Sequence, residues 1–274
     1  MIWKPYEVKN QIEITAFYSF FEENLPRLWN FEGESHDFWE CVYVSDGDIF
    51  ASGDGRIYRL KSGEMIFHKP MEFHKLWVDN EAGAGITVFS FSAKGSFFDI
   101  FRDKVFRLSS EEQDIVTNML KFVRTSNKDI NDLSYLTLSA EKEGYLQQIA
   151  SFLQLLFYSL AENNNTAKAE KTTEAQIFHR AVEFMKKNIS NQLSLEEIAK
   201  NSQTSLSSLK RIFERYTGIP VHRYFVNMKI KAATELLRDG FSVTYTAEAL
   251  GFCSQAHFSK VYKSVTGKNP SKLK

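Results

Sequence analysis

The sequence predicts an α+β chain with a β-rich N-terminal domain, a helical arm and an all-α C-terminal domain. Short segments rich in β-branched and aromatic residues, separated by glycine-bearing turns, fill the first hundred or so residues. From about Ser109 onward the apolar residues recur at helical spacing instead. The 274 residues, of which 43% are hydrophobic and 25% charged, suffice for two domains with cores of their own.

The N-terminal segments predict a small β-barrel or sandwich. They include CVYVSDGDIF, GRIYRLKSGEMIF and GITVFSFSA, joined by turns such as SDGD, SGDG and KSGE. Many short strands with regularly spaced turns are typical of these two architectures. Most of the aromatic side chains in this region are expected to fill the interior, because a barrel of this size packs with side chains.

A helical arm follows. Ser110 begins a helix with acidic residues in its first turn and basic residues in its last, as the helix dipole favours. A second helix, at about residues 143–161, carries apolar residues at alternating spacings of three and four, which form a seam. The seam residues are Leu146, Ile149, Leu153, Leu156 and Leu160. Two heptads leave two hypotheses open: a dimer interface, or a helix that packs on its own barrel.

A polar segment, ENNNTAKAEKTTE at residues 162–174, lacks aliphatic side chains larger than alanine. This composition predicts a linker. It divides the chain into an N-terminal domain at 1–161 and a helical domain at 175–274.

Charge differs sharply between the two domains. The whole chain has a formal net charge of zero, but residues 175–274 contain 16 Lys and Arg against 7 Asp and Glu. A basic domain beside an acidic one suggests that the basic part binds a polyanion. An intramolecular match between the two domains is the alternative.

The remaining composition bears on location. No apolar run approaches the roughly 18 residues of a membrane span, and the N-terminal MIWKPYEVKN lacks the apolar core of a signal peptide. Cys41 and Cys253 are far apart in sequence, which fits a reducing compartment without a disulfide framework. We therefore expect a cytoplasmic protein with no membrane partner.

Two helix-turn-helix units are predicted in the basic domain. In the first, Ser194 and Glu197 form a capping box before a short helix, and a turn at 201–203 leads to a second helix from about Ser205 to Tyr216. The outward face of that second helix carries short polar and basic side chains suited to base edges and phosphates. They are Ser205, Ser207, Ser208, Lys210, Arg211 and Arg215.

The second unit repeats this plan about 49 residues later, so the two units form an internal sequence repeat. SLSSLKRIFERYTGIP aligns with SQAHFSKVYKSVTGKNP, and both end in Thr-Gly followed by a proline. A helix over 221–238, roughly 27 Å long, separates the units. Recognition helices about one DNA turn apart, ~34 Å, can enter successive major grooves.

Residues 175–274 resemble the DNA-binding domain of AraC/XylS-type transcription regulators. The matching residues are LSLEEIA, the L-x-R-x-F core of the first unit, A-x-x-LL in AATELL, and GF-x-S-Q-x-x-F-S-K-V-Y-K in the second unit. The resemblance implies base reading in the first unit by Ser207, Lys210 and Arg211, with Ser205 near the DNA backbone. Arg215 is a further predicted DNA contact.

In the second unit the same resemblance assigns base reading to Gln255, Ala256, Ser259 and Lys260, with Ser254 and Lys263 near phosphates. Thr246 departs from the isoleucine usual in the family and puts a hydroxyl into an expected core position. Ala256 offers only a methyl group, for example to thymine.

The N-terminal domain resembles the cupin barrel that AraC-type regulators use as a sensor. ESHDFWECVYVSDG matches the first cupin motif and GEMIFHKPMEFH the second. The resemblance implies that His36, Phe38, Glu40 and His74 line a small-molecule effector site without a resident cofactor. The alternatives are a structural role for the histidines, or a metal site formed by Glu34, His36, Glu40 and His74. Glu34 stands where metal cupins have a histidine.

The expected function is effector-controlled transcription regulation by a homodimer. Its partners would be double-stranded promoter DNA, a small molecule such as a sugar, and RNA polymerase if the protein activates. The alternative from another class is a cupin metalloenzyme, an isomerase or oxygenase, with a helical accessory domain. A third hypothesis is a sensor domain that binds another protein, or only dimerises. The sequence contains no P-loop, HExxH or nucleophile–base pairing, so we expect no enzyme.

Overall fold

The computed structural model describes residues 5–7, 11–126, 136, 142–163, 165–167, 169 and 172–272. As predicted, the N-terminal part is an antiparallel β domain. Its strands are β1 (Glu13–Leu25), β2 (Trp39–Gly53), β3 (Arg56–Lys61), β4 (Glu64–His68), β5 (His74–Trp77), β6 (Ala84–Lys94), β7 (Val105–Arg107) and β8 (Thr166–Ala167).

The long strand β2 organises this domain. The strand order is β1-β6-β2-β4-β7-β8, and β3 and β5 also pair with β2. The first half of β2 pairs with β4 and β6, whereas 48–53 pairs with β3 and β5. A register shift between Val44 and Asp46 interrupts the pairing with β6, which continues to Gly47, and the partners of β2 change at Asp48. An isolated bridge between Glu34 and His74 brings the segment before β2 against β5.

Two helices, α1 (Ser110–Ser126) and α2 (Tyr145–Glu162), cover one face of the sheet. Between them and the sheet lies an aromatic core, in which the Phe157 ring of α2 contacts Phe67 and Phe91 at centroid distances of 5.6 and 5.3 Å. Burial of aromatic rings of this size supplies much of the stability of such a core.

The predicted dimer seam on α2 is wrong for four of its five residues. Ile149, Leu153, Leu156 and Leu160 have no exposed surface within a single chain, and Leu146 packs against the same core. Side chains that are fully buried in one chain cannot also line an interface between two. The alternative hypothesis, a helix that packs on its own sheet, therefore describes α2. Its exposed apolar residues are instead Leu155 and Tyr158.

The described residues of the predicted linker include a strand that pairs with the sensor domain. Asn163 follows the end of α2, and β8 pairs with Val105 and Phe106 of β7. The next helix begins at Thr173, after Thr172, whose hydroxyl accepts a hydrogen bond from the Ala175 amide. Only a short connection therefore separates the two domains.

The C-terminal domain consists of six helices among the described residues, which confirms the predicted α+β class with an all-α second domain. They are α3 (Thr173–Lys187), α4 (Leu195–Asn201), α5 (Leu206–Thr217), α6 (Val221–Arg238), α7 (Val243–Ala249) and α8 (Gln255–Thr266). The predicted capping box of Ser194 and Glu197 is present. None of the helices described combines the length and hydropathy that a membrane span requires.

The two helix-turn-helix units, α4–α5 and α7–α8, end in the same way. Gly218 and Gly267 follow α5 and α8 in the left-handed conformation, with φ of 69° and 71°. Before each glycine, a threonine hydroxyl donates to a carbonyl one turn back: Thr217 to Phe213 and Thr266 to Tyr262. The internal repeat in the sequence is thus a repeat of local geometry.

Candidate nucleic-acid interface and sensor cluster

The first recognition helix, α5, presents the predicted DNA-reading set. The Ser205 hydroxyl caps α5 by accepting a hydrogen bond from the Ser208 amide at 3.2 Å. Leu209 and Phe213 are fully buried, so the opposite face points away from the domain core. The predicted contacts Ser205, Ser207, Lys210, Arg211 and Arg215 are all exposed.

The second recognition helix, α8, does the same. The Ser254 hydroxyl accepts from the His257 amide at 3.1 Å, while Phe258 and Tyr262 are buried. The Thr244 hydroxyl donates to Oε1 of Gln255 at 2.8 Å, which orients that side chain. The predicted contacts are exposed apart from the half-buried Ser259: Gln255, Ala256, Ser259, Lys260 and Lys263.

Lys229 of α6 ties the two units together. Its buried Nζ donates to the carbonyls of Asn191 and Leu250, both at 2.8 Å, and so contacts the segments before α4 and after α7. Burial lowers the pKa of Lys229. One of the basic side chains of this domain is therefore structural, and it connects the two helix-turn-helix units.

Thr246 occupies the core position predicted for it. It has no exposed surface, and its hydroxyl donates to the Ser242 carbonyl at 2.9 Å. The hydroxyl is thus satisfied within α7, which limits the cost of placing a polar atom there.

Ion pairs join α5 to Glu174 in the first turn of α3 and to Asp79 at the edge of the sensor domain. Nη1 of Arg211 lies 2.7 Å from Glu174. Arg215 lies 3.2 Å from Glu174 and 3.3 Å from Asp79, which follows β5. By contrast, no ion pair involves Lys260 or Lys263 of α8 within the described part of the chain. Arg215 is therefore paired with the sensor domain, whereas Arg211 is paired with α3 of the helical domain.

The sensor domain also caps the C-terminal end of α5. The last carbonyls of a helix have no partner within it. The buried Ser52 hydroxyl of β2 donates to the Tyr216 carbonyl at 2.6 Å, and Nζ of Lys75 in β5 donates to the Arg215 carbonyl at 2.9 Å. An ammonium at this end also interacts favourably with the helix dipole. Burial lowers the pKa of Lys75.

The turn between β2 and β3 contacts α3 and α6. A Cβ added to Gly55, which has a φ of 82°, would come within 2.7 Å of Val182 in α3. Asp54 beside it pairs with Lys69 and, at 3.3 Å, with Lys231 of α6. Burial by itself raises the pKa of Asp54, but Lys231 and Lys69 together hold it well below its usual range.

A cavity of about 280 Å³ lies at this domain junction. The Phe50 and Trp77 rings, stacked at 5.4 Å, line it from the sensor side. Tyr216 and Arg215 of α5 line it from the other side, with Thr172, Thr173 and Glu174 from the connection and Ile57 from β3. Another cavity, of about 480 Å³, lies between the sheet and α1 and contacts only the sensor domain.

The predicted sensor residues converge in a compact cluster. Nε2 of His74 lies 3.2 Å from Glu40 and 4.0 Å from Glu34, and Nε2 of His36 lies 3.7 Å from Glu40. Phe38 stacks on His36 with a centroid distance of 3.8 Å. The structure thus brings the predicted set together, with ligand atoms of Glu34, His36, Glu40 and His74 all within 4.8 Å of one another. That they line an effector site stays a prediction.

Charge interactions dominate this cluster. Burial by itself raises the pKa of Glu40, but His36 and His74 hold it well below its usual range. Burial by itself lowers the pKa of His74, yet the Glu40 carboxylate raises it to about 9. Sequence reasoning missed His68, whose ring stacks on His74 at 4.3 Å, although it lies in the same GEMIFHKPMEFH motif. Burial lowers the pKa of His68.

The junction residues Ser52, Lys75, Asp79 and Glu174 were also missed. No local signal in the sequence identifies them, because each acts across a long separation: Lys75 and Arg215, for example, are 140 positions apart.

Comparison with known families decides the class of the protein. A family model described as an AraC-like ligand binding domain matches residues 18–175, more than half of the chain. The chain belongs to the AraC family. A helix-turn-helix domain model matches residues 198–274 of this AraC-family protein. It is a DNA-binding transcription regulator with an N-terminal ligand-binding domain, and these matches favour the regulator over the cupin-enzyme alternative.

Individual proteins are also similar to this chain. The AraC-family chain is 23% identical to the HTH-type transcriptional activator RhaR of Mannheimia succiniciproducens over 87% of this chain and 85% of the relative. It is 24% identical to the activator RhaS of Escherichia fergusonii, over 91% and 90%. It is similar in structure to ToxT of Vibrio cholerae, with 14% identity, coverage of 98% and 96%, and a TM-score of 0.40.

Proposed function

We propose that this AraC-family regulator binds double-stranded promoter DNA through α5 and α8, and that contact between α5 and the sensor domain controls this binding. The rigid connection through Lys229 supports simultaneous docking of both recognition helices in successive major grooves. Exposed Lys210 and Arg211 on α5, and Gln255 and Lys260 on α8, would read bases.

The observation that carries the control mechanism is the position of Arg211 and Arg215. Both guanidinium groups pair with Glu174, and Arg215 also pairs with Asp79. Phosphate oxygens and these carboxylates require the same donors, so DNA competes for them with Glu174 of α3 and, at Arg215, with Asp79 of the sensor domain. A signal that weakens the junction would thus raise DNA affinity.

A small-molecule effector fits the junction cavity better than the His36–His74 cluster. The cavity offers the aromatic faces of Trp77 and Phe50, and a polar rim that includes Thr172 and Arg215. A stacking face with a few polar groups suits a sugar or another small polar ring. A ligand there touches both domains and could act on α5 directly, unlike one in the cavity beside α1.

We also propose a cytoplasmic homodimer that contacts RNA polymerase. The relatives named as activators support the polymerase contact. Leu155 and Tyr158 are the exposed apolar residues of α2 and would lie in the dimer interface. We expect Leu155→Glu to convert a dimer to a monomer in analytical ultracentrifugation. A monomeric wild-type protein would exclude the dimer.

The test of DNA binding uses the full-length protein and fluorescence anisotropy. Probes are the DNA upstream of its own gene and a pool of random duplexes enriched by selection. We expect selective binding whose affinity falls steeply with salt, as phosphate contacts require. Failure to bind either probe at low salt would disprove the proposal. The effector site is tested by repeating the DNA titration in the presence of candidate sugars. We expect an active sugar to change the DNA affinity of the wild-type protein but not that of the Trp77→Leu variant.

A further inference from the structure

We infer that Glu34, His36, Glu40 and His74 form a binding site for a divalent transition-metal ion of the Zn²⁺ class. This departs from the expectation that the sensor domain holds no metal. It also goes beyond the proposed function, because the argument for the site uses only the positions of these four residues and does not depend on DNA binding. The four side chains each offer a ligand atom, and these atoms all lie within 4.8 Å of one another.

Both histidines are oriented as metal ligands are. Nδ1 of His36 lies 3.0 Å from the Phe38 carbonyl, and Nδ1 of His74 lies 3.2 Å from the Glu72 carbonyl. A carbonyl can only accept, so each Nδ1 carries the proton and donates it. Nε2 therefore points into the cluster, and an ion that binds there displaces the proton that the Glu40 carboxylate favours on His74. Metal-binding histidines are fixed by the same kind of outer hydrogen bond.

Neither Nε2 atom has a hydrogen-bond partner. Nε2 of His36 and of His74 are buried and unsatisfied, and the His74 side chain is only 1% exposed. Although Nε2 of His74 lies 3.2 Å from Glu40, the geometry is not that of a hydrogen bond. A buried nitrogen without a partner is costly. An ion between the nitrogens and the carboxylates would satisfy these atoms together.

The spacing fits a tetrahedral ion. Bonds of about 2.0–2.2 Å in a tetrahedral site place neighbouring ligand atoms about 3.3–3.6 Å apart. Three of the separations in the cluster are 3.2, 3.7 and 4.0 Å, and none exceeds 4.8 Å. Small side-chain adjustments, above all of Glu34, would bring all four atoms to bonding distance, since the Glu34 side chain is 50% exposed and lies at the rim.

The donor types favour zinc, iron, cobalt or nickel over magnesium and calcium. Imidazole nitrogen is a poor ligand for the last two, which prefer oxygen alone. The Ser90 hydroxyl donates to Glu40 at 3.2 Å and so holds the one buried carboxylate in place. This is the second shell that such sites require.

The site is also linked to the DNA-binding domain through β5. Successive side chains of a strand point to opposite faces. His74 points into the cluster, whereas the adjacent Lys75 caps α5. An ion bound to His74 would hold this part of β5 in position and strengthen the contact with α5. We therefore expect metal to weaken DNA binding, as a second readout in addition to binding of the ion itself.

The test measures Zn²⁺ and Co²⁺ binding to full-length protein stripped with a chelator, by calorimetry and by metal analysis after dialysis. Cys253 and His257, 3.2 Å apart on the surface of the second unit, could bind ions adventitiously. All measurements therefore use a Cys253→Ser background. We expect one ion per chain, and a tetrahedral absorption spectrum with Co²⁺.

Variants assign the site. We expect His74→Gln and Glu40→Gln to weaken binding at least 100-fold, and Ser90→Ala to weaken it about tenfold through loss of the second shell. His179→Gln, a histidine of α3 outside the cluster, is the matched control and should bind normally.

Circular dichroism checks that each variant is folded. If a variant of a buried residue does not fold, Glu34→Gln replaces it in the test, because the Glu34 side chain is half-exposed. No stoichiometric ion in the parent protein, or equal binding by parent, His74→Gln and Glu34→Gln, would overturn the inference. DNA binding is measured on the same metal-free protein. If that protein binds DNA but no metal ion, the metal site is disproved and the proposed function is not.

Discussion

Arg215 of the first recognition helix lies 3.3 Å from Asp79 of the sensor domain, although 136 positions separate them in the chain. Its backbone carbonyl accepts a hydrogen bond from Lys75 of the same domain. One residue expected at DNA is therefore held by the sensor through both its side chain and its backbone. Four consequences of this architecture can be measured.

Removal of the Asp79 carboxylate should strengthen DNA binding. Asp79→Asn removes the ion pair with Arg215. Exposed ion pairs of this kind contribute about 0.2–1 kcal/mol, so we expect the affinity for DNA to rise by up to about fivefold. Anisotropy titrations at fixed salt measure it. Glu183→Gln in α3 removes the same charge from a pair with Lys186 and should change little. A gain of equal size in both variants would show that only net charge matters.

Base reading by α5 should depend on Lys210. Lys210→Ala is expected to cost about 1–3 kcal/mol for the selected sequence, or about 5- to 150-fold in affinity, and to cost less for random DNA. Lys187→Ala removes the same charge from an exposed site on α3. Equal losses for the two variants on selected and random duplexes would contradict base reading by Lys210.

The two faces of α2 should respond differently to truncation. Leu153→Ala leaves a cavity in the core and should lower the free energy of unfolding by about 2–5 kcal/mol. Leu155→Ala, two positions away and 57% exposed, should change it by less than about 0.5 kcal/mol. Urea denaturation of both variants, at a concentration where the protein is monomeric, measures this. Similar stability of the two variants would place Leu153 outside the core.

The pair of Asp54 with Lys231 and Lys69 should stabilise the protein above pH 4. The folded pKa of Asp54 lies well below its unfolded value, so its contribution is complete above about 3.9 and shrinks by about 1.4 kcal/mol per pH unit below it. We expect Asp54→Asn to lower the free energy of unfolding by about 3 kcal/mol at pH 7. The difference from wild type, measured in urea, should be smaller at pH 3 than at pH 5. A difference that grows as the pH falls would contradict the assigned direction of the pKa shift.

Much of the architecture follows from local patterns. The α+β class, the two helix-turn-helix units and the outward faces of α5 and α8 were all predictable, because capping residues and helical periodicity act over a few positions. Ser205 and Ser254 cap the recognition helices in the structure. The burial of Thr246 was likewise predictable from its place in the repeat.

The apolar seam on α2 shows where local pattern stops being informative. Its spacing fits a dimer interface and an intramolecular core equally well. The structure decides for the core, because the aromatic side chains of the sheet, such as Phe67 and Phe91, pack directly on Phe157 of the same helix.

The sequence by itself determined that this chain is a two-domain protein with a duplicated, basic helical reader. Only the tertiary structure decided that Arg211 and Arg215 are held by carboxylates of the junction, that Ser52 and Lys75 cap α5, and that His36 and His74 turn unsatisfied nitrogens toward Glu40. The reason is physical. Capping and periodicity depend on neighbours along the chain, whereas ion pairs and ligand clusters depend on distances that the whole fold sets.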